Sequence, residues 1–425
     1  MPSSTPLDVV GTGAAGFASL SEAWRREIER ADLVAAPLRL LPELRAWLSA
    51  RQLATEILAS DRPAELLPAL AQALTAQRRV ILLASGDPLW FGLGRLLLGA
   101  LPREQLRFHP APTSLQLAFA RLGRPWHDAR WVSLHGREPD ALATALAQRP
   151  PALAVLPDPG RGGAAEVRTI LRATGLEAAY AVWLGERLGH PRERLLRLAP
   201  ADPLPADLDP LHLVVLLAEP PAEPDPAGLP LFGLADGLWL QHADHPGLMT
   251  KREVRIQLLA DLALPEQGVL WDVGAGVGSV GLEALRLRPR LELWAVDRRP
   301  GSTALIAANA GRLGVRPVAV VEAPALEVLA AWPDPDRVLL GGGGRDRRAL
   351  LATVLQRLRP GGVVVVPLAT PEGLAELRPQ LEAAGLEVAV SQHQSWRGSP
   401  LAEGIRLVPQ NPVFVLSGRA PAAAG

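Results

Sequence analysis

The segment Glu219-Pro-Pro-Ala-Glu-Pro-Asp-Pro-Ala-Gly228 places four prolines in ten residues. Proline lacks an N–H and fixes φ, so this stretch can propagate neither a helix nor a central strand. A chain of 425 residues is thereby cut into two halves, each long enough to bury its own core. The division expected is an N-terminal domain at 1–218, a proline-rich linker at 219–230 and a C-terminal domain at 231–425.

Both halves carry α/β patterning. Upstream, apolar runs at 7–10, 80–84, 153–156 and 211–217 alternate with amphipathic stretches such as 21–30. Between 108 and 124 the text turns loop-like and then helical, which predicts two lobes, about 1–110 and 111–218, with a cleft between them. Downstream, strand candidates at 268–273, 291–296, 316–321, 337–340 and 363–367 are separated by helix-length segments, the pattern of a doubly wound, mostly parallel sheet. Residues 386–395 and 412–417 are expected to add an antiparallel pair joined by a loop.

Lys+Arg and Asp+Glu are both 44, so there is no global basic field for duplex nucleic acid or anionic lipid. A polyanion must therefore be met by local Arg clusters. The absence of cysteine excludes disulfides, thiolate metal sites and cysteine nucleophiles. No apolar run approaches the ~18 residues needed to cross a bilayer, and the first residues lack the basic and apolar regions of a secretory signal. A cytoplasmic protein with no membrane and no nucleic-acid partner is expected.

The most informative run is Trp271-Asp-Val-Gly-Ala-Gly-Val-Gly-Ser279, between an apolar strand and a helix-like stretch. Glycines there let the backbone turn sharply and approach a ligand, while the helix N-terminus offers free N–H groups. Strand 291–296 then ends in Asp297, where a carboxylate can accept ribose hydroxyls. Gly274, Gly276 and Gly278 follow GxGxG rather than GxGxxG, with Asp272 beside the turn. That favours S-adenosylmethionine, whose amino-acid tail and sulfonium tolerate an acidic neighbour; a dinucleotide is the competing cofactor.

Upstream lies Gln241-His-Ala-Asp-His-Pro-Gly-Leu-Met-Thr-Lys-Arg-Glu-Val-Arg255. Two histidines and an aspartate invite a metal, but Pro246 and the loop-like text favour a solvated loop, and no metal is expected. Thr250 is placed to cap a helix beginning at Lys251, with Glu253 completing a capping box. Lys251, Arg252 and Arg255 gather positive charge at the helix start, where it opposes the dipole and suggests a carboxylate-bearing ligand; a solvated face is the alternative. Lys251 is the only lysine in the chain. In a composition drifting toward arginine, it is a candidate for a place that a planar guanidinium cannot fill. Gly341-Gly-Gly-Gly344, after the fourth strand, leaves room for a ligand over the sheet edge, or is a flexible loop.

In the first half, Val9-Val-Gly-Thr-Gly-Ala-Ala-Gly16 is a GxGxxG, and Leu83-Ala-Ser-Gly-Asp-Pro-Leu-Trp-Phe-Gly92 runs from a strand into a turn carrying Ser85, Gly86 and Asp87. Pro110-Ala-Pro-Thr-Ser114 and Leu134-His-Gly-Arg137 could line an opposing wall. Together with Ala31–Val34 (ADLV), His109–Gly123 (HPAPTSLQLAFARLG) and Gly185–Arg194 (GERLGHPRER), these runs resemble the tetrapyrrole (corrin/porphyrin) methylases, the class III methyltransferases. The second half, with LMTKREVR, LWDVGAGVGSVGLEAL, VLLGGGG and NPV, is similar to the decarboxylating precorrin C15-methyltransferases.

Fused in this order, the halves resemble the family of bifunctional C5,15-methylating, decarboxylating precorrin methyltransferases of cobalamin biosynthesis. The resemblance implies an N-terminal two-lobed class III fold and a C-terminal Rossmann-like class I methyltransferase with a seven-stranded, mostly parallel sheet. It also implies one S-adenosylmethionine per domain, a precorrin substrate and a homo-oligomer. The cofactor residues it implies are Gly11, Ser85, Gly86, Asp87, Thr113 and Ser114 in the first half. In the second half they are Thr250, Asp272, Gly274, Gly276, Gly278, Asp297, Ala323 and Gly341. Lys251, Arg252 and Arg255 are expected to grip substrate carboxylates. No catalytic side chain is singled out, because methyl transfer from a sulfonium needs alignment more than a protein nucleophile. Methylation of RNA or of another small molecule is the alternative.

Overall fold

The computed structural model describes residues 6–422 except 92, 136–139, 200–201, 243, 343 and 402–403. Gly92, Gly136, Arg137, Ala243 and Gly343, which belong to runs singled out above, lie outside the described residues. The chain forms two compact units. One comprises Met1–Arg137, Pro151–Ala165 and Val182–Leu217; the other takes Glu138–Pro150, Glu166–Ala181 and everything from Ala218 onward.

In the first unit, β1 (Leu7–Thr12), β2 (Leu33–Ala36), β3 (Glu56–Ala59), β4 (Val80–Ser85) and β5 (Leu106–His109) form a parallel sheet in the order β3-β2-β4-β1-β5. The run Val80–Ala84 is continuously apolar because both faces of its strand are covered. Alternate residues divide between two cores. Val9, Leu33 and Leu82 pack with Leu66, Leu70 and Leu97 on one face, and Val10, Val34 and Leu83 pack with Ile28 and Leu44 on the other. A second sheet holds β6 (Arg130–Ser133), β7 (Ala152–Leu156), β8 (Tyr180–Glu186), β9 (Arg194–Leu198) and β10 (His212–Ala218) in the order β6-β7-β10-β8-β9. It is mixed: β6 and β7 are parallel, whereas β10 opposes β7 and β9 opposes β8.

The second unit is built on β11 (Gln267–Val273), β12 (Arg290–Asp297), β13 (Ala319–Glu322), β14 (Arg337–Leu340), β15 (Val363–Leu368), β16 (Glu387–His393) and β19 (Val413–Arg419), with β17 (Trp396–Leu401) and β18 (Gly404–Pro409) set apart. The seven strands are ordered β13-β12-β11-β14-β15-β19-β16. The first five are parallel, and β19 runs antiparallel to both β15 and β16. Strand order therefore reverses between β11 and β14, where ligands of open α/β sheets bind. Leu270, Leu293 and Val365 face the helices Arg252–Asp261, Ser279–Leu287 and Ser302–Leu313. Trp271, Val338 and Val364 face Arg347–Arg357 and Pro371–Ala383.

Two local expectations are corrected. The stretch between β16 and β19 is not merely a loop but contains the antiparallel hairpin β17–β18. The helix at 252–261 has Lys251 as its N-cap, without a side-chain cap from Thr250. Its free N–H at Arg252 instead donates to Asp236 Oδ1 at 3.0 Å. The proline-rich segment is also tied down: Arg286 donates to the carbonyls of Pro226 and Pro230, and Arg312 to that of Ala222.

Candidate functional site

Four parallel strands of the second unit end side by side, and their ends make the site. After β11 the chain turns through Gly274, Gly276 and Gly278 with φ of 79°, 60° and 79°, a region that L-residues other than glycine seldom occupy. A Cβ at Gly274 would sit 2.6 Å from Gly342 N, so the two loops touch backbone to backbone. At Gly276 nothing lies within 4 Å of the corresponding position, which leaves that face of the turn open. Asp297, at the end of β12, accepts from Gly276 N at 2.7 Å and Arg299 N at 2.9 Å, fixing its carboxylate under the turn. Each oxygen keeps acceptor capacity for a further donor. Ala323 follows β13, with its N–H donating to Asp297 O, and Gly341 follows β14, with its N–H donating to Val273 O.

Asp272 is 2% exposed and accepts from Gly281 N at 3.1 Å. Burial, reinforced by Asp297, pushes its carboxyl up to about 7 against the opposing hydrogen bond from Gly281. Asp272, Gly274, Gly276, Asp297, Ala323 and Gly341 all line one cavity of about 1710 Å3, together with Thr250 and Lys251. Gly278 does not line it. Its left-handed φ starts the helix Ser279–Leu287, and a Cβ there would face Ile306 and Leu282.

The three expected substrate cations part company. Lys251 is half-buried at the cavity wall, and its ammonium donates to Gly247 O at 2.8 Å. Arg252 is exposed, donates to Gly233 O at 2.6 Å and is not among the lining residues. Arg255 is completely buried and cannot present its guanidinium to a ligand. It is held by Glu283 at 2.7 Å, Asp236 at 3.3 Å and the carbonyls of Thr250 and Leu234. The expectation of a substrate contact at Arg255 is thus corrected: a cation near a helix start looks solvent-directed in sequence, but its acidic partners lie 19 and 28 residues away.

The network around Arg255 extends to a residue that sequence reasoning missed. Arg397 on β17 donates to Asp236 at 3.0 Å, to Glu253 at 2.7 Å and to Thr174 O at 2.6 Å. Arg149 donates to Asp236 O at 2.9 Å. Asp236 thus joins the helix Arg252–Asp261, the hairpin β17–β18 and the segments around 149 and 174, all within the second unit. Arg149, Thr174, Arg397 and Ser399 line the cavity as well. Of the histidine-bearing loop, His242 is buried with Ser302 Oγ 3.4 Å from Nε2, and His245 is exposed. Among the described residues no three His, Asp or Glu side chains converge to hold a metal.

In the first unit, β1 and β4 bring the predicted residues together through backbone contacts. A Cβ at Gly11 would overlap Gly86 O and sit 2.5 Å from Ala111 N. Gly86 N donates to Thr12 O at 2.8 Å, and Ala111 N to Gly86 O at 3.3 Å. Thr113 and Gln116 form a full capping box at the helix Ser114–Leu122, so the Thr113 hydroxyl already serves that helix. Ser85 Oγ accepts from Arg39 at 2.8 Å, and Asp87 accepts from Leu89 N at 2.9 Å. Gly11, Ser85, Gly86, Asp87, Thr113 and Ser114 therefore cluster at the carboxyl ends of β1 and β4 and at the start of the helix Ser114–Leu122, which follows β5.

Comparison with known proteins finds a family match in each half of the chain. Residues 6–201 match the Tetrapyrrole (Corrin/Porphyrin) Methylases, and residues 241–418 match the Precorrin methyltransferase domain. A precorrin-6Y C(5,15)-methyltransferase [decarboxylating] of Sinorhizobium sp is 32% identical over 371 residues, 86% of this chain and 85% of the relative. Its counterpart of the same name in Mycobacterium tuberculosis is 30% identical over 409 residues, 95% of this chain and 97% of the relative. The cobalt-precorrin-6B C(15)-methyltransferase (decarboxylating) of Salmonella typhimurium is 33% identical over 187 residues, 43% of this chain and 94% of its own length. Two family matches in the order expected, and relatives at least 30% identical over 86–95% of this chain, place it in the precorrin-6Y C5,15-methyltransferase (decarboxylating) family.

Proposed function

We infer that the chain methylates a precorrin at C5 and C15 and removes carbon dioxide from its C12 acetate, with S-adenosylmethionine as methyl donor, on the route from precorrin-6B to precorrin-8. The full-length relatives carry both activities in their names. The supporting observation in the molecule itself is the convergence of Asp272, Gly274, Gly276 and Asp297 on one large cavity. Small-molecule sites commonly enclose about 300–1,000 Å3, so 1710 Å3 leaves room for a macrocycle beside a nucleoside.

We assign one cofactor to each domain, 1–218 and 231–425. In the second, Asp297 takes the ribose hydroxyls, the open face of Gly276 admits the cofactor, and Ala323 and Gly341 border it. Asp272 lies toward the ammonium of the amino-acid tail. In the first, Gly86, Asp87, Thr113 and Ser114 form the floor, with Gly11 kept small so that β1 and β4 can close on it. When bound, S-adenosylmethionine supplies an electrophilic methyl group that an electron-rich ring carbon displaces. The protein holds the reactants in line and excludes water. Lys251 stands ready for a substrate carboxylate, and Arg397 and Arg255 hold the wall on which it sits.

Incubating the intact protein with precorrin-6B and the cofactor tests this reading. The expected product has gained two methyl groups and lost one carbon dioxide by mass. A product with no methyl gained, alongside methylated RNA in a parallel assay, would overturn it.

A further inference from the structure

Lys251 is the only lysine among 44 Lys and Arg residues, and it stands at the wall of the second unit's cavity. Its surroundings set it apart from the neighbouring arginines. Arg255 is paired with Asp236 and Glu283, and Arg397 with Asp236 and Glu253. Lys251 donates to one carbonyl, Gly247 O at 2.8 Å, and among the described residues forms no ion pair. An ammonium has three donors, so its capacity is not exhausted by that bond. Burial lowers its proton affinity; Asp236 opposes the change, while Arg149, Arg397 and Arg255 add to it.

Holding a carboxylate does not require lysine. Arginine does so with two parallel hydrogen bonds and a permanent charge. What arginine cannot do near neutral pH is give up a proton. A chain that uses arginine at every other Lys or Arg position, yet keeps one lysine half-buried at this cavity and without an ion pair among the described residues, has a use there for a cation that titrates.

We propose that Lys251 is the general acid of the decarboxylation, delivering the proton that replaces the departing carboxylate. This rests on the assignment of that reaction to the second unit's cavity. The bond between the acetate methylene and its carboxylate breaks, and carbon dioxide leaves. The electron pair passes into the conjugated ring and returns to the methylene carbon as that carbon takes a proton from Nζ. An acetate thus becomes a methyl group, no electrons are gained or lost overall, and the amine recovers its proton from water after the product has left. A donor fixed at the wall is needed because the enclosure that favours methyl transfer also keeps water from serving.

The experiment measures carbon dioxide release by the full chain against pH, with S-adenosylhomocysteine affinity as the check on folding. Lys251→Arg keeps the charge and removes the transferable proton. It is expected to lower kcat for release by about 10²–10⁴-fold, with KM changed by less than about threefold, and to abolish the alkaline limb of the wild-type profile. Because the chain contains no cysteine, Lys251→Cys introduces a unique thiol that 2-bromoethylamine converts to a lysine-like amine. That treatment is expected to restore release and bring the alkaline limb back at lower pH, since the thioether makes the amine more acidic. Wild-type rates in Lys251→Arg, or no restoration in an aminoethylated protein that still binds S-adenosylhomocysteine, would overturn the proposal alone. A wild type that releases no carbon dioxide from the precorrin would overturn the decarboxylase reading and the proposal together.

Discussion

At the first unit's glycine turn, three backbone segments meet: Gly11 lies against Gly86 O and Ala111 N, and the cap at Thr113 is closed by its own Gln116. At the second unit's turn, the glycines are flanked by the buried carboxyl of Asp272 and by Asp297, and the adjoining wall hangs from Asp236, Glu283, Arg255 and Arg397. One site is shaped by what the main chain excludes, the other by charges taken out of water. The two should therefore fail under different insults: the first to added atoms, the second to lost or added protons and missing ions.

The largest effect is expected from Arg255→Met. It leaves Asp236 and Glu283 buried without a shared cation, and breaking a buried pair in this way costs about 3–5 kcal/mol. Denaturant unfolding followed with probes in each unit should show the second unit melting earlier and the first little changed. Equal loss in both units would remove the contrast.

Next in size is a pair of alanine substitutions. Gly11→Ala forces a Cβ into backbone atoms that cannot swing away, an overpacking of about 1–3 kcal/mol. It should weaken cofactor binding and fold together in the first unit. Gly276→Ala meets no protein atom within 4 Å, so its fold cost is only the left-handed φ, roughly 1–2 kcal/mol. Its Cβ enters the space assigned to the cofactor, so affinity in the second site should fall further than stability does. Calorimetric titration of both variants separates the cases.

Protonation gives the third contrast. Asp272 titrates at about 7 in the folded protein, above its ordinary carboxyl value of 3.8. The folded state therefore binds the extra proton between these limits. The stability this contributes is present in acid and lost as pH rises through about 7. The ammonium of the amino-acid tail, common to S-adenosylmethionine and S-adenosylhomocysteine, prefers the ionised carboxylate, so affinity at the second site should strengthen with pH up to about 7 and fall below it, by at most about tenfold per pH unit. Asp272→Asn should flatten that slope, and the first site should show none. A wild-type affinity independent of pH would contradict the placement of Asp272 beside the ligand's charge.

The smallest effect belongs to Arg252→Ala. Arg252 is exposed and bonded to Gly233 O outside the cavity, so stability should change by less than about 1 kcal/mol and KM for the precorrin hardly at all. A large rise in KM would restore Arg252 to the substrate contacts expected from sequence.

The same contrast explains what could be read in advance. Glycine turns and buried parallel strands announce themselves locally: β14 at Arg337–Leu340 and the turn after β11 stand where the pattern puts them. The hairpin β17–β18 was hidden because Gly398 and Pro400 interrupt its alternation, and two of its cavity residues, Arg397 and Ser399, are polar and look like loop. Arg255 reads as a ligand contact in the sequence because a helix-start cation looks solvent-directed until Asp236 and Glu283 are found around it. The packing of Glu138–Pro150 and Glu166–Ala181 with the second unit left no local mark either, since an amphipathic helix shows that it has a buried face but not what covers it. Lys251 was legible by scarcity alone; its place at the cavity wall needed the fold.

Calorimetric titration of the intact chain with S-adenosylhomocysteine counts the proposed methyl-donor sites in one polypeptide. Two sites per chain are predicted, only the second of them losing affinity as pH falls below about 7, and Gly276→Arg should leave one. A single site in the wild type, or two undiminished sites in Gly276→Arg, would contradict it.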